Sequence, residues 1–435
     1  MTRVLIVSYY FAPQNTIGAV RPTKLAKYLT RMGCEVTVLC GAGMSAQFKD
    51  PTLERDMREL TDVHVLHEWD PLGAIKARKR ARAAQSGNAQ AVASGRVRAD
   101  KTSLKGRVLD AVYLYLRLLA DRSFERKAKR ELQKLRDPYD AVFSSYAPLS
   151  VHKVALAAKK SGLAKKWIAD FRDEVGVSFR WQAGYKRRYM AMLAREPDLR
   201  TAVSNGVFKM MGLEGRLLYN GFDREDLQPV TPPDEKRFRV VYCGQLGMGR
   251  KELGKRDFTP CFMGLKQLID EGKLDKNELQ IVYAGRDGAM LRDFASAAGL
   301  EACVADHRQV SRERSLALQQ SANLLLMSSW CTSRHSGILS GKLYENMMME
   351  KPIICCMYGN VAQSEMRELF DLTGVGFCWE AANAREDTPA LASWLEGIIL
   401  AWRQDLPAVA PNGKNKIEQF SYPKLASTLL GWIRE

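Results

Sequence analysis

Short apolar runs alternate with amphipathic stretches along most of the chain, and the spacing of the apolar positions predicts strands and helices in turn. The run from Arg3 to Tyr9 reads as a strand. A loop containing Pro13, Asn15 and Gly18 follows, and Pro22 to Met32 carries Leu25, Ala26 and Leu29 at helical spacing. Gly33 closes that helix, and Glu35 to Cys40 is a second β-rich run ended by Gly41. Two strands joined through a helix pair in parallel, so the chain opens on a parallel sheet. Val63 to Leu66, Asp140 to Ser145, Trp167 to Asp170 and Arg200 to Ser204 read as further strands. Between them lie a long helical region from about Gly106 to Leu135 and a helix from Val151 to Lys160.

The alternation restarts at Arg237 with the strand Phe238 to Cys243 and Gly244 behind it. Helices from about Phe262 to Asp270, Ala289 to Ala298, Ser311 to Gln320 and Lys342 to Met349 then separate strands at Leu279 to Ala284, Cys303 to Val304, Asn323 to Met327 and Pro352 to Met357. The polar stretch Gln228 to Asp234, with three prolines, is the expected boundary. A chain of 435 residues exceeds what one core organises. The predicted architecture is therefore two Rossmann-like, doubly wound α/β domains, residues 1–228 and 235–435, with the final helices packing back on the first domain. Such domains bind ligands at the C-terminal ends of their strands, so the two sheets are expected to face one another across a ligand cleft.

Composition changes this picture little; charge changes it more. Hydrophobic content of 46% with 26% charged residues is that of a folded globular protein. The formal charge of +17 is concentrated in an insertion at about 71–107, where Lys76, Arg78, Lys79, Arg80, Arg82, Arg96, Arg98, Lys101, Lys105 and Arg107 cluster. No aromatic residue interrupts the chain from Ile75 to Asp110, which argues against single-stranded nucleic acid as partner and towards an anionic membrane surface. A merely solvated loop is the plainer reading. On the helix that follows, Val112, Tyr115 and Leu119 share one face that suits a core, a dimer contact or a membrane. The opening apolar run is too short for a secretory signal and no stretch reaches the roughly 20 apolar residues of a membrane span, so a cytoplasmic protein, peripheral at most on the inner membrane face, is expected. The nine cysteines lack zinc-ligand spacing and read as reduced and buried, with Cys355 and Cys356 on opposite faces of one strand.

Three loops carry candidate chemistry. Gly18, between the first strand and helix, is a donor-binding candidate that can bring backbone amides close to an anion or a sugar oxygen. Gly244, Gly247 and Gly249 follow a strand and precede Arg250, Lys251, Lys255 and Arg256, a combination suited to a diphosphate. Asp170, Arg172 and Asp173 end another strand and suit sugar hydroxyls or an acceptor phosphate, or a structural Asp170–Arg172 pair. His152 reads as a capping or core-lining residue. The Gly-x-Gly-x-x-Gly dinucleotide fingerprint is absent, which argues against a nicotinamide or flavin enzyme, and no Asp-x-Asp triplet is present to hold a metal.

The opening run VLIVSYYFAPQNTIGAVRPTKLAKYLTRMGCEVTVLCG resembles that of bacterial family-4 glycosyltransferases, retaining GT-B enzymes of surface-polysaccharide biosynthesis. Leu218 to Asp223 resembles the family's turn before its interdomain linker, Trp167 to Asp173 a D-x-R-D segment, and Gly337 to Ile354 the donor-site loop and helix. The resemblance implies that Glu345 accepts hydrogen bonds from the nucleotide ribose, that Lys342 and a basic residue of the glycine loop, Arg250 or Arg256, meet the donor, and that backbone around Arg308 to Val310 contacts the nucleobase. Arg172 and Asp173 become the acceptor-side or catalytic groups. Gly337 stands where many members carry a second glutamate eight residues before Glu345. The implied reaction moves a sugar from a nucleotide-sugar, UDP-linked before GDP-linked, to a glycan or lipid-linked acceptor, with no metal or organic cofactor. A non-catalytic partner subunit of a polysaccharide assembly complex and a sugar-nucleotide epimerase are the alternatives.

Overall fold

The computed structural model describes residues 1–42, 50–71, 104–176, 183–230, 236–246, 257–333, 335, 339–406 and 416–435, with backbone alone over 104–111. The expected basic insertion and the linker at 231–235 fall mostly outside the described residues. The chain divides into two compact units: Met1–Ala202 with Leu213–Leu218 and Ala426–Glu435, and Val203–Gly212 with Tyr219–Leu425.

The first unit contains β1 (Arg3–Ser8), α1 (Ile17–Arg31), β2 (Glu35–Gly41), α2 (Pro51–Met57), β3 (Asp62–Leu66), α3 (Leu104–Leu132), β4 (Tyr139–Ser145), α4 (Ser150–Lys160), β5 (Ala164–Phe171), α5 (Ala183–Arg195), β6 (Leu199–Ala202) and β7 (Arg216–Leu217). Its seven strands run in the order β3-β2-β1-β4-β5-β6-β7, all parallel. Continuous burial of Val4 to Val7 and of Ala141 to Phe143 shows why these runs are apolar without alternation: a parallel sheet is covered on both faces. The strand order reverses between β1 and β4, and the loops leaving those strands are where a doubly wound sheet takes its ligand.

Two local departures from the sequence reading have clear causes. Helix α1 begins at Ile17 rather than Pro22, so Gly18 lies inside its first turn. Pro22 is the sixth residue of the helix, past its first turn, and supplies no N–H for the Gly18 carbonyl. Ser204 does not continue a strand; its hydroxyl caps α6 (Asn205–Met211), accepting from Val207 N at 3.2 Å.

The second unit holds α6 and then β8 (Phe238–Cys243), α7 (Thr259–Asp270), β9 (Leu279–Ala284), α8 (Gly288–Ser296), β10 (Val304–Asp306), α9 (Arg312–Gln320), β11 (Leu324–Cys331), α10 (Gly341–Met348), β12 (Ile353–Gly359), α11 (Glu365–Thr373), β13 (Gly376–Glu380) and α12 (Ala384–Arg403). Its strands are parallel in the order β10-β9-β8-β11-β12-β13, with the reversal between β8 and β11. Side chains alternate between two apolar layers: Val241, Val282, Leu325 and Ile353 enter one, and Val240, Ile281, Leu324 and Ile354 the other. Cys355 and Cys356 divide between these layers accordingly. The last helix, α13 (Tyr422–Arg434), contributes its residues from Ala426 onward to the first unit. There Lys166 Nζ reaches the Ile433 carbonyl at 3.3 Å, and Arg216 lies 5.5 Å from the Trp432 ring centroid.

Candidate functional site

The switch point of the second sheet gathers several of the residues singled out in the sequence. Gly244 ends β8 with φ 143°, a conformation that L side chains rarely adopt. A Cβ there would lie 3.1 Å from Lys342 Cε. The glycine thus makes room for the lysine, whose ammonium donates to the Cys243 carbonyl and lies 5.4 Å from the Tyr242 ring centroid. Helix α10 brings Lys342 here from its second position and places Glu345 one turn later on the same face. Ser340, the N-cap of α10, makes no side-chain cap.

Glu345 is half-buried, and α9 supplies its partners. Gln319 Nε2 donates to Oε1 at 3.0 Å and Arg312 Nη1 to Oε2 at 3.0 Å. Burial pushes the Glu345 pKa up, but Lys342, Arg312 and the Gln319 amide outweigh it, so the carboxylate titrates below its ordinary 4.5. An ionised carboxylate offers about four acceptor positions. Among the described residues two are taken, which leaves room for two hydroxyl donors. Arg312 is steadied by Asp226 at 3.8 Å, and Gln319 is fixed by the Ser315 carbonyl at 3.2 Å. Neither Arg312 nor Gln319 was singled out in the sequence. Their signal is a seven-residue spacing on α9 that puts both polar groups on one face, two turns apart.

Nearby, Gly285 N donates to the Arg308 carbonyl at 2.8 Å, while Arg308, at φ 56°, donates its own N–H to Asp306 Oδ1 at 2.8 Å. The bond to Asp306 holds a left-handed residue that would otherwise be disfavoured. Val310 is half-buried against the core layer of α9 and α10. Arg250, Arg256 and Gly337 lie outside the described residues.

In the first unit, Gly18 and Arg172 meet: a Cβ on Gly18 would stand 2.9 Å from Arg172 Nη1 and 3.0 Å from Tyr10 Cδ2. Arg172 Nε donates to the Tyr146 carbonyl at 2.7 Å, which ties the end of β5 to the loop leaving β4 at the switch point. Burial lowers the Arg172 pKa from 12.5, opposed by Asp170 and Asp173, and the guanidinium stays charged at neutral pH. Asp173 is exposed beside it. Asp170 does not pair with Arg172. It is fully buried and takes Arg21 Nε at 3.0 Å and Nη2 at 2.8 Å, Ser145 Oγ at 3.1 Å and Thr201 Oγ1 at 2.8 Å. Four donors fill its acceptor positions, so the pair is structural. His152 is buried among Tyr146, Phe171, Trp167 and Tyr189. Its Nδ1 lies 2.8 Å from Ser144 Oγ, and burial drops its pKa to about 3, which keeps it neutral. The Asn220-Gly221-Phe222-Asp223 turn has a packing reason: a Cβ on Gly221 would lie 2.5 Å from the Phe420 carbonyl.

Two Rossmann-like units with parallel sheets of seven and six strands form the GT-B fold. No protein-family model and no curated protein matches the sequence. Solved structures match in fold. The N-terminal domain of Candida albicans trehalose-6-phosphate phosphatase aligns over 100% of this chain and 97% of its own, at 11% identity and a TM-score of 0.60. Sucrose-phosphate synthase from Thermosynechococcus elongatus aligns over 100% and 98%, at 12% identity and a TM-score of 0.57. A Listeria monocytogenes protein assigned as a UDP-N-acetylglucosamine 2-epimerase aligns over 99% and 95%, at 10% identity and a TM-score of 0.52.

Proposed function

We propose that the protein is a GT-B glycosyltransferase whose second unit binds the nucleotide-sugar donor. The observation that carries this reading is the half-filled carboxylate of Glu345 beside Lys342 at the β8/β11 switch point. Two vacant acceptor positions match the adjacent 2'- and 3'-hydroxyls of a ribose, and the lysine three residues earlier supplies charge for a diphosphate. The amides opening α10, which Ser340 does not cap, add to that charge. Arg250 and Arg256, close behind Gly244 in sequence, are the further diphosphate candidates. Backbone at Arg308 to Val310 serves the nucleobase.

In this reading the bond between the anomeric carbon and the diphosphate oxygen breaks, and its electron pair leaves with the nucleoside diphosphate. The acceptor hydroxyl attacks from the same face, forms the new glycosidic bond and gives its proton to the departing phosphate, so configuration is retained. Lys342 and the α10 amides stabilise the developing negative charge without a metal ion. Arg172 and Asp173 form the acceptor side, where the guanidinium suits an acceptor phosphate or sugar hydroxyls, and Gly18 beside Arg172 is the first unit's donor-binding candidate. A UDP-sugar donor and a glycan or lipid-linked acceptor are proposed.

The test is a panel of UDP- and GDP-sugars incubated with and without glycan and lipid-linked acceptors, with release of nucleoside diphosphate as the readout. Acceptor-dependent release supports the transferase. Interconversion of the donor without an acceptor replaces it with an epimerase, and nucleotide binding without turnover replaces it with a non-catalytic partner subunit.

A further inference from the structure

We propose that the hydroxyls of Tyr283 and Tyr242, together with the Asp287 carboxylate, are positioning groups that hold the backbone of residues 244–246 ready for the diphosphate of the donor. This inference rests on the nucleotide-sugar reading of the second unit and deepens it. Tyr242 on β8 and Tyr283 on β9 are register neighbours. Both are buried, and their rings stack with centroids 6.2 Å apart and 10° between planes. They belong to the apolar layer that also takes Val240 and Ile281, where phenylalanine would fill the same space. A buried hydroxyl costs free energy unless it is bonded, so the partners of these two oxygens are informative.

Both partners lie in the loop that leaves β8. Tyr283 Oη donates to the Gly244 carbonyl at 3.0 Å, and Tyr242 Oη donates to the Gln245 carbonyl at 2.9 Å. With the Lys342 ammonium on the Cys243 carbonyl, three successive carbonyls each meet a side-chain donor. Asp287 completes the frame. Its backbone N–H donates to Tyr283 Oη at 2.8 Å, which leaves the phenol hydrogen for Gly244, and its Oδ2 accepts from Leu246 N at 2.8 Å. The close approach needs Gly285, because a Cβ there would collide with both the Gly244 carbonyl oxygen and the Tyr283 hydroxyl. Burial pushes the Tyr283 pKa up to about 12, so the hydroxyl keeps its proton at neutral pH.

The consequence is electrostatic. Carbonyl oxygens turned towards a diphosphate repel it, whereas amide N–H groups attract it. The two phenols draw the negative ends of peptides 244 and 245 to themselves. In a planar trans peptide the N–H points opposite to the C=O, so the bond from Tyr283 also turns the Gln245 N–H away from that ring. Gly244, at φ 143°, is where the chain bends beside Lys342. Dipoles fixed in advance need no rearrangement when negative charge develops on a leaving group. The tyrosines and Asp287 act through the loop backbone rather than on the reacting atoms.

The test is calorimetric titration of uridine and of uridine diphosphate into the full chain and its variants Tyr283→Phe, Tyr283→Phe with Tyr242→Phe, Asp287→Ala and Asp287→Asn. Uridine carries base and ribose without phosphate, so its affinity reports whether the rest of the site is intact. Uridine affinity should stay within about twofold throughout, while uridine diphosphate binds about fivefold more weakly to Tyr283→Phe, as for one lost hydrogen bond, and more weakly still to the double variant. Asp287→Ala should weaken the diphosphate alone, and Asp287→Asn, which keeps an acceptor oxygen for Leu246 N, should restore it. Unchanged diphosphate affinity in the double variant, or a parallel loss of uridine and uridine diphosphate, overturns the proposal. If the tyrosine variants do not fold, Asp287→Ala decides: diphosphate affinity equal to that of the wild type overturns it. Diphosphate binding that Glu345→Ala weakens but the tyrosine and Asp287 variants spare removes this inference and leaves the nucleotide site standing, whereas no binding to the wild type removes both.

Discussion

Asp170 in the first unit and Glu345 in the second are both carboxylates held by an arginine beside a parallel sheet, yet they differ in what remains of them. Asp170 and Arg21 are almost completely excluded from solvent, at 0% and 1% exposure, and four donors saturate the carboxylate. Glu345 and Arg312 retain 21% and 33% exposure, and two donors leave the carboxylate half satisfied. The same chemical pair is a rivet in one place and a receptor in the other. Residual acceptor capacity together with access separates the two roles; the presence of charge at a strand end does not.

The largest effect that can break this comparison is at the rivet. Arg21→Met leaves Asp170 buried with its charge uncompensated, and loss of one partner of a buried pair costs about 3–5 kcal/mol. Urea unfolding should show that loss, or no soluble protein at all, and a change under about 1 kcal/mol would mean that the pair is not structural. Glu345→Ala should behave in the opposite way. It should lower the urea midpoint far less than Arg21→Met, because Glu345 and Arg312 stay partly exposed, while weakening nucleotide binding about 100-fold, since two hydrogen bonds to a charged group contribute about 1.5–3 kcal/mol each and water recovers part. Gln319→Met removes one orienting donor without stranding a charge, so nucleotide affinity should fall only several-fold in calorimetric titration. Equal losses at Gln319 and Glu345 would show a collapsed helix pair rather than a positioned carboxylate.

The smallest effect is on pH. Because the Glu345 pKa is held below 4.5 in the folded protein, its charge persists as pH falls. Its contribution to stability is present above the unfolded value and is lost only as pH drops through the lower folded value. Nucleotide affinity should therefore be flat from pH 8 to 5, apart from titration of the nucleotide phosphate itself. A uridine nucleoside, which has no phosphate, isolates the protein's share, and a fall in its affinity above pH 5 would contradict the lowered pKa.

Much of the fold was legible because parallel strands buried on both faces write themselves as uninterrupted apolar runs. Leu279–Ala284 coincides with its predicted strand. Among the elements that escaped, α2 has seven residues and α12 carries Pro389 inside it, while α5 spans 13 residues of mixed basic and apolar positions of which only Tyr189 and Leu193 are buried. Buried charge was the least legible feature. Arg21, Lys24 and Lys27 look like the polar face of an amphipathic helix, yet all three are buried in α1, the lysines 2.6 and 2.9 Å from the Asp56 carboxylate. At the site, Lys342 and Glu345 were legible only through the resemblance of Gly337 to Ile354, and the role of α9 depends on tertiary approach across about 30 residues of chain, which no local pattern records. For the same reason Arg172 turned to the Tyr146 carbonyl rather than to Asp170, its neighbour in sequence.

Calorimetric titration of uridine diphosphate into the wild-type chain and into Glu345→Ala tests whether Glu345 holds the nucleotide. Saturable one-site binding to the wild type and about 100-fold weaker binding to the variant are expected, with a urea midpoint of the variant close to that of the wild type and well above that of Arg21→Met. Equal affinity of the two proteins, or no binding of any nucleoside diphosphate to the wild type, would contradict it.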